Sequence, residues 1–444
     1  MNPQDYYPQW LSALLGWATG LLGGNINWND FGPLLTVLWA VVAFTLIAIV
    51  AQVSVIFMVL MERKVLAWFT QRKGPNRVGP WGLLQTLADG VKLLFKEDIM
   101  PKGTNKFLFT VAPALFFLPS FVFFGLIPFT DQLLAVALPA GALFVFAISS
   151  ISVVGLVLAG WASNNKYSLL GGMRSAAQAI SYEIPLVMSV LTVTLFAGSM
   201  NIDLIVKGQQ GPIWNWYGIL LTPISLLIFF VSALAEVNRI PFDLPEAESE
   251  LVSGYNTEYS GMKFALFFLA EYASLFAMSA FTAAFFLGGY FSPFGTFFVE
   301  WRTNMSAYQI EHMALPAGQF NWSLLALQVE MLFWFMAKTY FFIFLAMWVR
   351  ATLPRLKPDQ LMGFSWKFLI PLSLINIFAI AVEKYWVVLV PQLGGAAQSL
   401  PVLQAGSVMN WIGWLVVAAV VFGIFFFMMS RLLTEKLEAR LARR

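Results

Sequence analysis

The acidic side chains of this chain concentrate in one short stretch that could bind a cation or carry protons. Residues 241–250 read PFDLPEAESE and contain Asp243, Glu246, Glu248 and Glu250, although charged residues make up only 11% of the chain. The stretch has no EF-hand spacing and no His or Cys partner, so it does not predict a metal site. Composition alone favours a solvated acidic loop, which is the ordinary interpretation of such a run.

Other ionisable residues fall inside long apolar segments, namely Glu183, Glu236, Glu271, Glu330 and Lys338. An ionisable side chain at the centre of a membrane helix costs about 2.5–3.5 kcal/mol on insertion scales, so each of these is expected to face protein or water. Glu183 lies nine residues after Arg174, and Glu271 lies eight after Lys263. At 1.5 Å per residue, both acids would sit roughly 12–14 Å in from the same end. Two acids at matched depth indicate a shared buried polar path.

The elements that carry these residues are predicted to be membrane-spanning helices. The mean hydropathy is +0.75, and residues 31–61 and 132–165 carry no charge. A spanning helix needs about 20 apolar residues, whereas barrel strands would be short and alternating. The fold class is therefore all-α, a polytopic transmembrane helix bundle, and nine spans are predicted, at 34–61, 107–130, 132–162, 175–200, 218–237, 264–290, 324–348, 366–389 and 408–429.

The basic residues predict the orientation of the bundle. Of the 26 Lys and Arg residues, 22 fall in loops that nine spans place on one side, at 62–106, 163–174, 238–263, 349–367 and 430–444. Such loops normally face the cytoplasm.

The first of these loops, 62–106, contains apolar residues that recur near helical spacing between polar ones. They are Trp81, Leu84, Leu87, Val91, Leu94 and Phe95. That pattern predicts an amphipathic helix lying at the membrane interface.

The residue types that are missing limit the chemistry that this chain can perform. It has no cysteine and one histidine, so it has no ligands for an iron–sulfur cluster held by thiolates or for a bis-histidine haem. It has no P-loop and no convincing dinucleotide fingerprint. If redox chemistry occurs here, the electrons must come from a partner.

Four long stretches resemble a known family, the membrane-embedded H subunits of bacterial NADH:quinone oxidoreductase (respiratory complex I). In chain order they are ERKVLAWFTQRKGPNRVGPWGLLQTLADGVKLLFKED, NKYSLLGGMRSAAQAISYEIPL, SALAEVNRIPFDLPEAESELVSGYNTEYSGMKFALFFLAEY and AKTYFFIFLAMWVRATLPRLKPDQLMGFSWKFLIPLSL. The resemblance predicts a family-like membrane core at 31–390, an N-terminal extension at 1–30 and an additional C-terminal helix with a basic tail at 391–444. An enlarged segment at 291–323 and Lys357–Pro358 depart from the family pattern.

The resemblance implies a role for each group of polar residues. The quinone-binding chamber would be lined or supported by Glu62, Arg63, Arg72, Asp89, Arg239, Asp243 and Arg350. The proton relay would consist of Glu183, Glu236, Glu246, Glu248, Glu250 and Glu271. In the family the acidic loop folds inward against the chamber, and carboxylates held so close repel and are expected to titrate as a coupled set. The acids would then serve as a charge sensor and proton path.

The same resemblance implies the setting in which this chain works. Quinone would be the substrate, and the iron–sulfur clusters and FMN would belong to partner subunits of the hydrophilic arm, so the isolated chain would be inert. Other partners would be the neighbouring membrane-arm subunits and the lipid bilayer of the bacterial inner membrane, with the main loops cytoplasmic and no nucleic acid bound. Two alternatives remain: the membrane subunit of an energy-converting hydrogenase, and a stand-alone proton-coupled transporter, although no internal repeat supports the latter.

Overall fold

The computed structural model describes residues 32–131, 133–136, 138–220, 222–245, 248–294 and 322–389, and these ranges contain helices and turns but no strand. A π-helical turn, Ser365–Leu369, joins the last two α-helices. In chain order the α-helices are α1 (Gly32–Phe69), α2 (Gln85–Phe95), α3 (Lys106–Leu126), α4 (Gly141–Ala162), α5 (Lys166–Ala197), α6 (Ile202–Lys207), α7 (Tyr217–Leu220), α8 (Pro223–Glu236), α9 (Glu248–Leu251), α10 (Gly261–Phe286), α11 (Trp322–Thr352), α12 (Pro358–Phe364) and α13 (Ile370–Leu389).

The predicted all-α membrane bundle is confirmed. Among the described residues, six helical segments are long and apolar enough to cross a membrane, at Lys106–Leu126, Gly141–Ala162, Lys166–Ala197, Gly261–Phe286, Leu325–Thr352 and Pro358–Val382. They correspond to six of the nine predicted spans. The predicted first span lies within α1, which is 38 residues long. The ninth span at 408–429 and both terminal segments, 1–30 and 391–444, lie outside the described residues.

Two predicted spans differ from the helices that form, and a proline explains each difference. The span predicted at 132–162 begins only at Gly141, because Pro139 disfavours helical backbone at Leu138. The single helix predicted at 218–237 is wrong. Thr222 precedes Pro223 and has non-helical angles (φ −134°, ψ 49°), so the segment divides into α7 and the 14-residue α8. At about 21 Å, α8 is shorter than the hydrocarbon core of a typical bilayer.

The basic loops meet at one end of the bundle, called the inner end here. Contacts between loops that are distant in sequence establish this arrangement: Lys263 Nζ lies 2.9 Å from Asp98 Oδ2, and Asn165 Nδ2 donates to Glu258 Oε1 at 2.7 Å. Asn165 also caps α5, because its Oδ1 accepts a hydrogen bond from the Tyr167 amide. The structure therefore groups four of the five predicted loops at this end, with Arg355 Nη2 and Asp243 linking 349–367 to 238–263, and the fifth loop, 430–444, lies outside the described residues.

Helices α5 and α10 form the centre of the bundle. α10 packs against α1, α3, α8 and α11, and α5 packs against α4, α8 and α13. Pro185 interrupts the hydrogen bonding of α5 and frees the carbonyl of Ser181, which accepts the Ser365 hydroxyl at 2.5 Å. A side chain from the π-helical turn therefore satisfies the carbonyl near the acid Glu183, and the same contact fixes α5 against the end of α12.

Candidate functional site

A cavity of about 660 Å³, the α1–α2 cavity, opens between α1, α2 and α10. Most of its wall is apolar, with Val55 and Val59 from α1, Leu87 and Val91 from α2, and Phe268 from α10. The predicted amphipathic helix is α2, and its apolar face forms one wall of this cavity. A largely apolar pocket of this size with few polar groups is the usual form of a site for an apolar small molecule.

The charged side chains in the wall of the cavity are Arg63, Asp89 and Lys92. Arg63 Nη1 lies 2.5 Å from Asp89 Oδ2, and both side chains are partly exposed. Gln85 Nε2, one helical turn before Asp89, donates to Asp89 Oδ1 at 3.3 Å. The two predicted quinone-site residues Arg63 and Asp89 therefore meet at this cavity. Part of each side chain remains exposed, so a molecule bound in the cavity could contact both.

A second cluster, the Glu62 cluster, is buried at the inner end and joins three elements. Glu62 follows the uncharged run of α1, Arg239 follows α8, and Arg350 lies in the last turn of α11. Arg239 Nη1 donates to both carboxylate oxygens of Glu62 at 3.3 Å, and Arg350 Nη1 also donates to Glu62. The Arg239 guanidinium lies 4.1 Å from the ring centroid of Tyr272 on α10. Burial alone would lower the pKa of Arg239, but the neighbouring carboxylates, chiefly Glu62, outweigh it and raise that pKa.

The described half of the acidic loop folds inward against the bundle. Gln178 Nε2 on α5 donates to the carbonyls of Ala235 and Phe242, each at 2.7 Å. Asp243 Oδ2 accepts from Arg355 Nη2 at 2.6 Å, which ties the loop to the segment after α11. The exposed-loop interpretation is therefore wrong for residues 239–245. Asp243 belongs to this buried layer and does not line the α1–α2 cavity.

Arg72 lies apart from the other predicted quinone-site residues. Its side chain is exposed, and its Nε donates to Thr70 Oγ1 at 3.0 Å within the turn that follows α1. Its role at the chamber stays a prediction.

The predicted relay acids fall into separate groups. Glu271 Oε1 accepts the Tyr255 hydroxyl at 2.9 Å, and its charge also acts on Arg239 of the Glu62 cluster. Glu183 accepts the Ser150 hydroxyl and interacts electrostatically with Glu236. Glu250 instead pairs with Arg174 at 2.7 Å on the surface. Glu246 and the side chain of Glu248 lie outside the described residues. Of the predicted relay acids, the structure brings Glu183 and Glu236 together, and Glu250 lies apart from them.

Sequence reasoning missed several residues that hold the site in place, namely Tyr255, Tyr272, Arg355, Gln178 and Ser150. Arg355 contributed only to the count of basic residues, and nothing in its spacing paired it with Asp243 across 112 positions. The other four are neutral polar side chains in apolar or mixed segments, where most such residues serve packing. Among the residues that the structure describes, no group of three or more His, Cys, Asp or Glu could hold a metal ion.

Comparison with known proteins places this geometry in a family. A family model described as NADH dehydrogenase matches residues 41–381. Three relatives, each named as the H subunit of NADH-quinone oxidoreductase, align over most of their length. The Brevibacillus brevis protein is 46% identical over 78% of this chain and 94% of its own length. The Dehalococcoides mccartyi protein is 45% identical over 74% and 83%, and the Rickettsia bellii protein is 44% identical over 81% and 93%.

Proposed function

The chain belongs to the NADH dehydrogenase family, and on that premise we propose that it forms the quinone-binding part of the membrane arm of a proton-pumping NADH:quinone oxidoreductase. It is a membrane-embedded subunit of that oxidoreductase complex. The observation that carries the proposal is the α1–α2 cavity, which combines an apolar wall with the Arg63–Asp89 pair.

The walls of the cavity fit the two parts of a quinone. A quinone has a flat polar head and an apolar tail. The α2 and α10 side chains offer an apolar surface to the tail, while the Arg63–Asp89 pair offers a donor and an acceptor to the head. This fit also supports the quinone enzyme over a membrane subunit of an energy-converting hydrogenase, which binds no quinone.

The Glu62 cluster is the proposed link between quinone chemistry and proton movement. Quinone reduction takes up two electrons and two protons, which changes the charge at the cavity. Arg63 in the cavity wall is the chain neighbour of Glu62, so no neutral residue separates the cavity from the cluster along the chain. Through Arg239 the cluster interacts with Glu271 inside the bundle. A charge change at Arg63 would therefore act on a buried ionic network that extends to a relay acid.

The partners follow from the proposed reaction. The electrons would come from FMN and iron–sulfur clusters in hydrophilic subunits that dock on the inner end, and neighbouring membrane subunits would receive the protons. The inner end would face the cytoplasm of a bacterial cell, as the basic loops predict.

Filling the cavity tests the proposal. An added Cβ at Gly90 on α2 meets no atom within 4 Å, so Gly90→Leu projects into the cavity without a backbone clash. Leu also favours a helix over Gly by roughly 0.8 kcal/mol, so α2 remains folded. Extra methylenes in a well-packed protein core cost about 1–3 kcal/mol, and a comparable steric cost against the bound quinone would lower kcat/KM for quinone about tenfold in the purified complex.

Gly363→Leu is the matched control. Gly363 lies on α12 outside the cavity, and an added Cβ there likewise meets no atom within 4 Å. It should leave quinone reduction unchanged. Equal kcat/KM for quinone in the two variants and the wild-type complex would contradict the assignment of this cavity to quinone.

A further inference from the structure

Lys338 on α11 is a buried basic residue that belongs neither to the proposed quinone site nor to the relay acids. It is 8% exposed and lies inside a helix that is long and apolar enough to cross a membrane. An ionisable side chain in such a position is costly unless protein groups replace its water. The groups that surround Lys338 therefore indicate its role.

The ammonium group of Lys338 binds backbone carbonyls at the outer end of α10, which is the end opposite the inner end. Its Nζ donates to the carbonyls of Leu287 at 2.6 Å, Gly289 at 2.9 Å and Phe291 at 2.6 Å. It also lies 4.0 Å from the ring centroid of Trp216, which is within the range of a cation–π interaction. We call the three carbonyls and the Trp216 ring the cation site.

The geometry of the cation site requires a charged amine. An ammonium group has three N–H donors, and all three are used here. A neutral amine has two donors, and its lone pair would face the third carbonyl. Carbonyl oxygens that converge on one point repel one another unless a cation lies between them. The last carbonyls of a helix also carry the negative end of its dipole, which favours a cation at this position.

The backbone that follows α10 presents these carbonyls through two glycines. Gly288 (φ 68°) and Gly289 (φ 51°) both have left-handed backbone, which other residues rarely adopt. A Cβ added to Gly288 would lie 2.5 Å from Trp216 Nε1, and one added to Gly289 would lie 2.7 Å from Val206 Cγ1. The turn in which the carbonyls converge therefore depends on glycine at both positions.

Helix α10 connects the cation site to the residues of the proposed function. Its inner end is held by the Lys263–Asp98 pair at 2.9 Å, and its outer end is held by the cation site. Between the two ends it carries Phe268, in the wall of the α1–α2 cavity, and Glu271. From Glu271 to Phe286 the helix rises about 22 Å. A shift or tilt of α10 at its outer end would therefore move both functional side chains.

We propose that the outer end of α10 is a binding site for a primary ammonium group, and that Lys338 is its resident cation. Without a cation, the three carbonyls would turn away from one another, and α10 would lose this contact with α11. Lys338 is thus a positioning residue for Glu271 and for the cavity wall. The positioning role rests on the proposed function, whereas the cation site does not.

Chemical rescue of a truncated lysine tests the cation site. Lys338→Ala removes three carbons and the ammonium group, and n-propylammonium supplies the same atoms. In the purified complex in detergent, Lys338→Ala should lower the thermal unfolding temperature and slow quinone reduction, and n-propylammonium should restore both. Detergent solution is chosen because an amine would collapse the proton gradient of vesicles. Propan-1-ol has nearly the same size but no charge and one donor, so it should restore neither.

Two variants serve as controls for the rescue. Lys338→Met fills the site with an uncharged side chain, so it should be destabilised and should not respond to n-propylammonium. Lys207→Ala removes a lysine that pairs with the carboxylates of Asp131 and Asp203 instead of backbone carbonyls, and the amine should not change its unfolding temperature. If Lys338→Ala does not accumulate, cells grown with n-propylammonium should contain more assembled complex than cells grown without it.

The outcomes separate the cation site from the proposed function. Wild-type unfolding temperatures in Lys338→Ala and Lys338→Met, or equal rescue by propan-1-ol, would overturn the cation site. Thermal rescue in a variant whose quinone reduction never fell would overturn the positioning role. The thermal measurement needs no quinone, so it supports or overturns the cation site whatever Gly90→Leu shows about the cavity.

Discussion

Replacing Glu62 by Gln is expected to destabilise the complex by about 3–5 kcal/mol, because it removes one partner of a buried ionic cluster. Arg239 is 7% exposed and keeps its positive charge, so Glu62→Gln leaves that charge buried without its main anion. Arg350 donates to the same carboxylate and also loses its anion, because the Gln side chain offers one neutral oxygen in place of two charged ones. The cluster joins α1, which forms part of the cavity wall, to the end of α8, which leads into the acidic loop, and to α11. Without the Glu62 charge, these three helices would lose the ionic contact that they share.

The measurement for Glu62→Gln is the amount of assembled complex in membranes and its thermal unfolding, followed by quinone reduction by what assembles. Asp131→Asn is the matched control, since Asp131 pairs with Lys207 at 2.8 Å near the surface and Lys207 retains Asp203. An exposed pair contributes about 0–1 kcal/mol, so this control should assemble normally. Wild-type stability of Glu62→Gln would show that the cluster does not hold the inner end together.

Replacing Asp89 by Asn is expected to reduce quinone turnover by about 10-fold to 100-fold with little effect on stability. The variant keeps the shape of the side chain but removes the charge beside Arg63 in the cavity wall. A hydrogen bond to a charged group contributes about 1.5–3 kcal/mol, whereas the partly exposed pair contributes at most about 1 kcal/mol to folding. Electron transfer to a soluble acceptor at the redox arm should continue, because that reaction does not use the cavity.

Asp98→Asn is the control for Asp89→Asn. Asp98 follows α2 and pairs with Lys263 at 2.9 Å, but it does not line the cavity. It should retain quinone turnover. A fall of the same size in Asp98→Asn would mean that any charge change near α2 disturbs the complex, and that Asp89 has no specific role at the cavity.

The spans of the bundle could be predicted because membrane helices are defined by the length of their apolar runs. The length of an apolar run carries no information about local backbone restriction, such as the one that a proline imposes on the residue before it. The run at 218–237 carries no charge before Glu236, yet Pro223 divides it at Thr222. The inner-end grouping of the loops could also be predicted, because the bias of Lys and Arg toward one side acts along the whole chain.

The residue types of the site could be predicted, but most of their pairings could not. Arg63 and Asp89 lie 26 positions apart, and their pairing depends on how the turn at Pro80–Gly82 returns α2 to α1. Glu62 and Arg350 lie 288 positions apart and meet only because α1 and α11 pack together. Periodicity reports which face of a helix is apolar, and it carries no information about which distant helix covers that face.

The central claim is that quinone reduction is coupled to proton movement. The most direct test is to reconstitute the Glu271→Gln complex into vesicles and to measure the protons that it translocates. The Gln carbonyl can still accept the Tyr255 hydroxyl that Glu271 Oε1 accepts at 2.9 Å, so the variant changes the proton-carrying group and leaves the packing in place. No soluble carrier replaces a buried acid at this depth. Proton translocation should be lost, with quinone reduction falling alongside it if the two are tightly coupled. Wild-type rates of both quinone reduction and proton translocation would contradict a path through Glu271.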